Sequence, residues 1–496
     1  MAATKAPNIL FILADDQRYG TIGALGNTEI QTPNLDRLCA RGTAFTNAYI
    51  PGGTTGAVCM PSRAMLNSGR TLFHISGNGE EIPPEHTTMA EAFRANGYCT
   101  YEVGKWHNGP ASFARGFEGG ENIFFGGMWD HWNVPVNHFH ADGKYEKFIP
   151  FNPDFSSGSS ATVSVRAELI NAGYHSTELF CDTMIDFINN YDTESGRPFY
   201  AYLSFLAPHD PRTMPEKFRN MYDPDRITLP PNYMEMPVVN CGWSNRGRDE
   251  VVEEYPRRPE RIRKHIADYY AMISHIDENV GNVLDALERR GMLENTVIVY
   301  AGDNGLAIGQ HGLMGKQNIY EHSVKVPLIM AGPGIPGGQV REQFVYLMDI
   351  YPTLCTLAGT AIPASVEGRD FSAMFSDPAA VTREDLYFAF QARIRGVRDA
   401  RYKLIEYRTE NLKLTQLFDL REDPYETRNF FDIAGYEEIT ERLRSRLFAY
   451  RDEWEDDKSK YGAQYWQAYR QYDEAVVHGV DQPKGKTLAK QLASLK

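Results

Sequence analysis

Cys59 opens the stretch Cys59-Met60-Pro61-Ser62-Arg63, and Gly69-Arg70 closes the segment behind it. The preceding Pro51-Gly52-Gly53-Thr54-Thr55-Gly56 is too rich in Gly and Thr to be helical. Ser62 to Leu66 can start a helix, and Pro61 suits a first helical position. Cys59 then falls at a helix N-terminus, where unpaired amides and the helix dipole favour negative charge, so an activated thiol is expected there. Arg63, one helical turn on, can pair with a tetrahedral oxyanion in bidentate fashion. The competing reading is a buried structural cysteine before a helix.

Four further groups have side chains suited to the same chemistry. Asp15, Asp16, Asp303 and Asn304 supply three carboxylates and one amide, the oxygen-only set that a hard divalent cation requires. Either pair could instead be a helix cap or a turn. Lys105 and His107 alternate along Gly104-Lys105-Trp106-His107, so both can point into one cleft. His209 lies in Pro208-His209-Asp210-Pro211, and Lys316 ends the Gly-rich Gly309-Gln310-His311-Gly312-Leu313-Met314-Gly315-Lys316. Taken singly, each of these last groups could be a surface turn.

The elements that would position them alternate between strand and helix. Asn8 to Ala14 is a continuous apolar run, as in a strand buried on both faces, and it ends at Asp15-Asp16. Ala44 to Tyr49, Tyr98 to Val103, Phe199 to Leu206, Thr296 to Tyr300 and Val326 to Ala331 read as further strands. Thr32 to Leu38 looks like a helix start, and Met89 to Gly97, Thr177 to Asn190, Arg261 to Arg290 and Val345 to Leu357 read as helices. This alternation predicts an α/β fold, a large, doubly wound, mostly parallel sheet sandwiched by helices. The polar groups fall just past the C-terminal ends of the strands, where open α/β sheets bind ligands.

Cys-x-Pro-Ser-Arg followed by Gly-Arg resembles the signature of the type I sulfatases, in the alkaline phosphatase superfamily. Asp15-Asp16, Gly104-Lys105-Trp106-His107, Pro208-His209-Asp210-Pro211, Asp303-Asn304 and the Lys316 loop followed by Tyr320-Glu321 resemble that family's other motifs, in its order, over roughly residues 7 to 430. One departure is Asn108-Gly109, where the family has Leu-Gly. The resemblance implies that Cys59 is oxidised after translation to formylglycine, by a formylglycine-generating or sulfatase-maturating enzyme. It implies one calcium ion held by Asp15, Asp16, Asp303, Asn304 and residue 59; the absence of His ligands argues against zinc. It also implies roles at the site. Arg63, Lys105 and Lys316 clamp the sulfate with the metal, His209 protonates the leaving alcohol, and His107 takes a proton from the hydrate at residue 59.

Composition sets limits. The chain has 496 residues, 42% of them hydrophobic and 23% charged, ordinary for a globular enzyme of two domains. A net charge of -14 disfavours nucleic acid, so an anionic substrate must be drawn by a local cluster of cations or a metal. Six scattered cysteines without a Cys-x-x-Cys pair argue against a zinc knot or a disulfide scaffold. No apolar run approaches membrane-spanning length, and the first residues lack the apolar core of a signal peptide. Cytoplasmic residence and a processed, exported form both remain open.

The catalytic domain is expected to span 1–378, followed by a smaller C-terminal α+β subdomain over 379–480 and a polar tail over 481–496. Leu386 to Phe390, Ile394 to Arg398 and Lys403 to Tyr407 suggest a short antiparallel sheet, closed by a helix from Ile439 to Glu453. Leu417 to Asn429 resembles a segment that recurs in the family's subdomain. Arg393, Arg395, Arg398, Arg401 and Lys403 read as a solvated strand face, with a polyanionic glycan as the other option. The stretch Phe124 to His140, rich in Trp, His and Asn, suits stacking on a sugar ring or packing of an irregular insertion. A sulfated carbohydrate is the expected substrate among organic sulfate monoesters. The alternatives are a phosphonate or phosphate ester hydrolase of the same superfamily, or a catalytically silent glycan-binding relative. Tyr465, Trp466 and Tyr469 could serve self-association or internal packing.

Overall fold

The computed structural model describes residues 6–151, 163–240, 242, 247–409 and 412–477. Cys241 and the tail expected over 481–496 lie outside them. The central element is an eight-stranded sheet. Its order is Gln339–Arg341, Gly42–Phe45, Leu328–Ala331, Thr296–Gly302, Asn8–Ala14, Phe199–Ser204, Cys99–Lys105, Gly119–Phe124. Every pairing is parallel except the two made by Leu328–Ala331. The expected, mostly parallel doubly wound sheet is therefore the one observed.

Side-chain alternation explains why the middle strands read as unbroken apolar runs. Ile9, Phe11 and Leu13 enter the hydrophobic core on one face of the sheet, while Leu10, Ile12 and Ala14 enter that on the other. Val297 and Val299 are divided in the same way from Ile298 and Tyr300. Helices Cys59–Ser68, Met89–Ala95 and Ile350–Ala358 cover the first face. Helices Pro33–Arg41, Ser176–Asn190 and the long Pro259–Arg289 cover the second.

Three elements differ from expectation. Ala44 to Tyr49 divides into Gly42–Phe45 in the large sheet and Ala48–Tyr49 in a small three-stranded one. Val326 to Ala331 divides into Lys325–Val326 in that small sheet and Leu328–Ala331 in the large one. The start of the helix expected from Val345 is instead a strand, Val345–Tyr346, and a 3-10 turn, Leu347–Asp349. The Asp349 carboxylate accepts the Tyr346 N–H and the guanidinium of Arg383, which fixes the backbone before the helix begins.

The second sheet has the order Leu412–Asp419, Tyr402–Thr409, Ile394–Arg398, Leu386–Phe390, Gly52–Gly53. The first four strands are antiparallel, and Gly52–Gly53, seven residues before Cys59, adds a parallel edge. Its apolar residues belong to the same core as the first face of the large sheet. Helices Glu437–Glu453 and Lys460–Val477 close it. Tyr465, Trp466 and Tyr469 are buried within the chain, so internal packing accounts for them.

The basic stretch departs from both sequence readings, because Arg395, Arg398 and Lys403 are buried. Arg395 pairs with Asp456 at 2.7 Å, Arg398 with Glu321 at 2.8 Å, and Lys403 with Glu321 and Glu426 at 2.8 and 2.9 Å. Their partners lie 61 or more positions away for Arg395 and Arg398, so local sequence could not reveal them.

Candidate active site around Cys59

Adjacent strand ends bring the first groups together. The Asp303 N–H donates to the Ala14 carbonyl at 3.0 Å, and the Asp16 N–H donates to Asp303 Oδ1 at 3.0 Å. Asp15-Asp16 and Asp303-Asn304 therefore form one acidic floor. On the strand Cys99–Lys105 the register shifts between Val103 and Gly104. Gly104 has φ +106°, and a Cβ there would lie 2.0 Å from the Ser204 carbonyl oxygen, so only glycine fits. The resulting bulge re-aims the chain and sends Lys105 onto the floor.

Cys59 opens the helix Cys59–Ser68, which ends at Gly69 in the left-handed region. Ser62 Oγ donates to the Asp303 carbonyl at 2.5 Å and fixes the helix against the floor. Around Cys59 Sγ stand His107 Nδ1 at 3.6 Å, Lys105 Nζ at 3.7 Å and Lys316 Nζ at 3.9 Å. Lys105 Nζ also donates to Asp15 Oδ2 and, at 2.5 Å, to the Gly127 carbonyl. Lys316 Nζ donates to Asp16 Oδ1 at 2.5 Å, and Asn304 Nδ2 donates to the same oxygen at 2.7 Å. His209 Nε2 faces Asp16 Oδ2 at 3.6 Å, while Nδ1 lies 2.8 Å from the Asp210 carbonyl. All ten residues singled out from the sequence thus meet in one place.

Arg63 lies there without any exposed surface. Its Nε donates to Asp303 Oδ2 at 2.8 Å, and its Nη1 donates to the Lys105 carbonyl at 2.7 Å and Ser204 Oγ at 2.5 Å. Most of its fork therefore supports the floor from behind.

Burial dominates the electrostatics. It pushes the Cys59 thiol up to about 11, despite the opposing pull of Lys105 and Lys316. The activated thiol expected at a helix N-terminus is therefore not found, because desolvation outweighs the dipole. Burial, reinforced by Lys105, Arg63 and Lys316, holds the His107 imidazole well below its ordinary value, so it is neutral at pH 7. His107 also has φ +70°, an unfavourable conformation for a non-glycine residue that turns its ring towards Cys59. Burial and the neighbouring Asp303 raise the Asp15 carboxyl to about 6.

That crowding of carboxylates is what a cation would relieve. Asp15 Oδ1 and Asn304 Oδ1 are buried oxygens with no donor among the described residues. One ligand atom each from Asp15, Cys59 and Asp303 fall within 4.8 Å of one another. The protein donors on the floor are carboxylate and amide oxygens, which fits a hard divalent ion.

Sequence reasoning missed the residues that frame these groups. His131 is buried; its Nε2–H donates to the His209 carbonyl at 2.9 Å, and its Nδ1 lies 2.8 Å from Ser176 Oγ. The loop between Phe124 and His140 thus spans from the Gly127 carbonyl on Lys105 to His131 on His209. Asp249 Oδ2 accepts from Gln317 Nε2 at 2.6 Å, and Arg248 bridges Asp249 to Asp210. Arg248 and Asp249 lie in a stretch without periodicity, which gave no signal.

A family model described as "Sulfatase" matches residues 7–360, and one described as "N-sulphoglucosamine sulphohydrolase, C-terminal" matches residues 309–453. An N-acetylglucosamine-6-O-sulfatase of Bacteroides thetaiotaomicron is 26% identical over 92% of this chain and 88% of the relative. A solved protein in complex with D-glucosamine-2-N,6-O-disulfate has a TM-score of 0.74 at 22% identity, covering 92% of this chain and 99% of that one. The phosphonate monoester hydrolase of Agrobacterium radiobacter has a TM-score of 0.70 at 20% identity, covering 90% and 96%.

Proposed function

The chain belongs to the sulfatase family and is a sulfatase, an enzyme that hydrolyses sulfate esters, and we propose that it does so with Cys59 matured to formylglycine beside a bound calcium ion. A sulfated carbohydrate is the proposed substrate, supported by the relative named as an N-acetylglucosamine-6-O-sulfatase. The observation that carries the mechanism is the convergence of Lys105, Lys316 and His107 within 3.6–3.9 Å of Cys59 Sγ, above three carboxylates.

Asp15, Asp16, Asp303 and Asn304, with residue 59, would hold the ion, which supplies positive charge to the sulfate oxygens. Formylglycine, once hydrated by water to a geminal diol, would supply an oxygen nucleophile and a second hydroxyl through which sulfate can be released. Cys59 Sγ stands where that oxygen would be. The remaining work falls to the chain's own side chains. Lys105 and Lys316 each carry a positive charge within reach of a sulfate seated over residue 59, and they favour the charge that gathers on its oxygens during transfer. Neutral His107, with Nδ1 towards residue 59, is placed to take a proton there. His209 donates a proton to the leaving alcohol from Nε2, because Nδ1 is occupied by the Asp210 carbonyl. Arg63 neutralises Asp303 from behind and keeps the floor rigid.

Peptide mass analysis of protein made with a sulfatase-maturating enzyme tests this reading. Residue 59 is expected to carry a carbonyl in place of sulfur, and the matured protein to turn over sulfate esters faster than the matching phosphonates. A retained thiol in an active preparation, or faster phosphonate turnover, overturns it.

A further inference from the structure

His209 and Lys316 flank the place where the leaving alcohol must depart. A continuous charged rim extends outward from both. Asp210 follows His209 in the chain, and Asp249 is tied to Gln317, the residue after Lys316, by the 2.6 Å bond from Gln317 Nε2. Gln317 Nε2 also donates to the Gly56 carbonyl at 2.9 Å, which anchors the rim to the loop before Cys59. Arg248 joins the two carboxylates. Its Nη1 donates to Asp210 Oδ1 at 2.7 Å and Asp249 Oδ1 at 3.0 Å, and its Nη2 donates to Asp210 Oδ2. The Asp210 and Asp249 side chains are 14% and 12% exposed, whereas that of Arg248 is 43% exposed. The guanidinium is therefore held by buried acceptors and presented to solvent at the mouth of the site.

None of this follows from a need to fold. A half-exposed ion pair contributes little stability, whereas a preorganised fork between two carboxylates suits recognition. Although burial acts the other way, Lys316 and His209 hold the Asp249 carboxyl below its ordinary value, and His209 and Arg248 do the same for Asp210. Both carboxylates are thus charged at neutral pH and lie within electrostatic reach of the groups facing the leaving oxygen. The two carboxylates outnumber the one guanidinium that bridges them at the rim, with Arg212 also near Asp210. A further sulfate or uronate on the leaving group would meet those carboxylates, while adjacent hydroxyls would meet acceptors and donors in alternation. Met128, 38% exposed, follows Gly127, whose carbonyl accepts from Lys105. Three of the five basic residues of the small-sheet stretch, Arg395, Arg398 and Lys403, are turned inward onto Asp456, Glu321 and Glu426, and the more exposed Arg401 pairs with Asp419.

We propose that Asp210, Arg248 and Asp249 form the subsite that reads the leaving group, and that it selects a neutral, polyhydroxylated alcohol, as a monosulfated sugar releases, over a more highly charged one. This rests on the sulfatase reading and adds a specificity that the reading does not contain.

The test uses the matured full-length enzyme, a panel of monosulfated and disulfated monosaccharides, and 4-nitrophenyl sulfate, which has no hydroxyls to read. For the wild type, kcat/KM on the best monosulfated sugar is expected to exceed that on its disulfated counterpart at least tenfold. Arg248→Ala is expected to lower the ratio of sugar to aryl kcat/KM at least tenfold, mainly through KM on the sugar. Arg248→Lys keeps the charge but loses the fork, and is expected to lower the ratio by a smaller factor. Asp249→Asn removes one negative charge and is expected to narrow the gap between mono- and disulfated sugars. An active enzyme that prefers disulfated sugars, or whose ratio is unaltered in both Arg248 variants, overturns the subsite alone. A matured enzyme inactive on every ester overturns the sulfatase reading and the subsite with it.

Discussion

Replacing Arg63 with Met separates two roles that an active-site arginine can have. In the structure its Nε neutralises Asp303 at 2.8 Å with both side chains fully buried, and its Nη1 satisfies the Lys105 carbonyl and Ser204 Oγ. Met fills similar volume but leaves the Asp303 carboxylate without that partner. Breaking a buried pair from one side costs about 3–5 kcal/mol, most of it from the charge left behind. At an unfolding entropy of about 2.1 cal/mol/K per residue, 496 residues give about 1 kcal/mol/K, so Tm is expected to fall by about 3–5 °C. Arg63→Lys restores a charge but not the fork, and is expected to recover only part of that shift. Differential scanning calorimetry of chelator-treated protein without substrate reads the effect directly. Loss of turnover with Tm unchanged within 1 °C would refute the reasoning, because the guanidinium would then act on substrate and not on Asp303.

Three further outcomes follow from the same geometry. In protein that has not been matured, Cys59, with its thiol pushed up to about 11, is expected to resist iodoacetamide at pH 7 while exposed thiols react; rapid labelling of the Cys59 peptide would contradict the burial argument. Lys105→Ala and Lys316→Ala are each expected to lower kcat on sulfate esters by roughly 10²–10³, the usual cost of removing one preorganised donor, and steady-state rates within threefold of wild type would contradict their assignment. Acid should weaken the fold through His131 and His311, which burial lowers to about 4. The unfolded chain binds more protons than the native one below about 6.5, so stability present at neutral pH is lost as pH falls towards 4. By pH 5 the loss is about 2 kcal/mol for each histidine, opposed by the carboxyls of Asp15 and Glu426, raised to about 6 and about 7, so it is read by difference. The urea midpoint of His131→Gln is expected to fall less, or rise more, from pH 7 to 5 than that of the wild type, and an identical change would contradict it.

The fold was legible where burial is complete. Strands such as Asn8–Ala14 and Thr296–Gly302 are apolar on both faces and read as continuous runs, and the 31-residue helix Pro259–Arg289 declared itself by periodicity. Asp15-Asp16, Lys105, Asp303-Asn304 and Cys59 were legible because each lies at the end of a strand or the start of a helix, whereas Lys316 was legible only by the pattern of its Gly-rich loop. What escaped the sequence depends on distant partners. Arg395, Arg398 and Lys403 looked like a solvated face because Asp456, Glu321 and Glu426 are remote in the chain. Cys59 looked activated because the dipole of its helix is visible in the sequence while its desolvation is not. The pairing of Arg63 with Asp303 was hidden because nothing local reveals that Asp303 lies against it. Asp249 gave no signal, since an irregular segment carries no periodicity, and His131 stood unnumbered in the Trp- and His-rich stretch, because their roles arise only from contact with Gln317 and His209.

The central claim is that side chain 59 is the reacting group on which the acids, lysines and histidines converge. Sulfate release by Cys59→Ala made alongside the sulfatase-maturating enzyme, compared with matured wild type at equal folded concentration and saturating calcium, measures it most directly. The convergence around Cys59 Sγ predicts that turnover is abolished while the folded state, read by Tm, persists. Release at the wild-type rate would mean that the chemistry lies elsewhere in the chain.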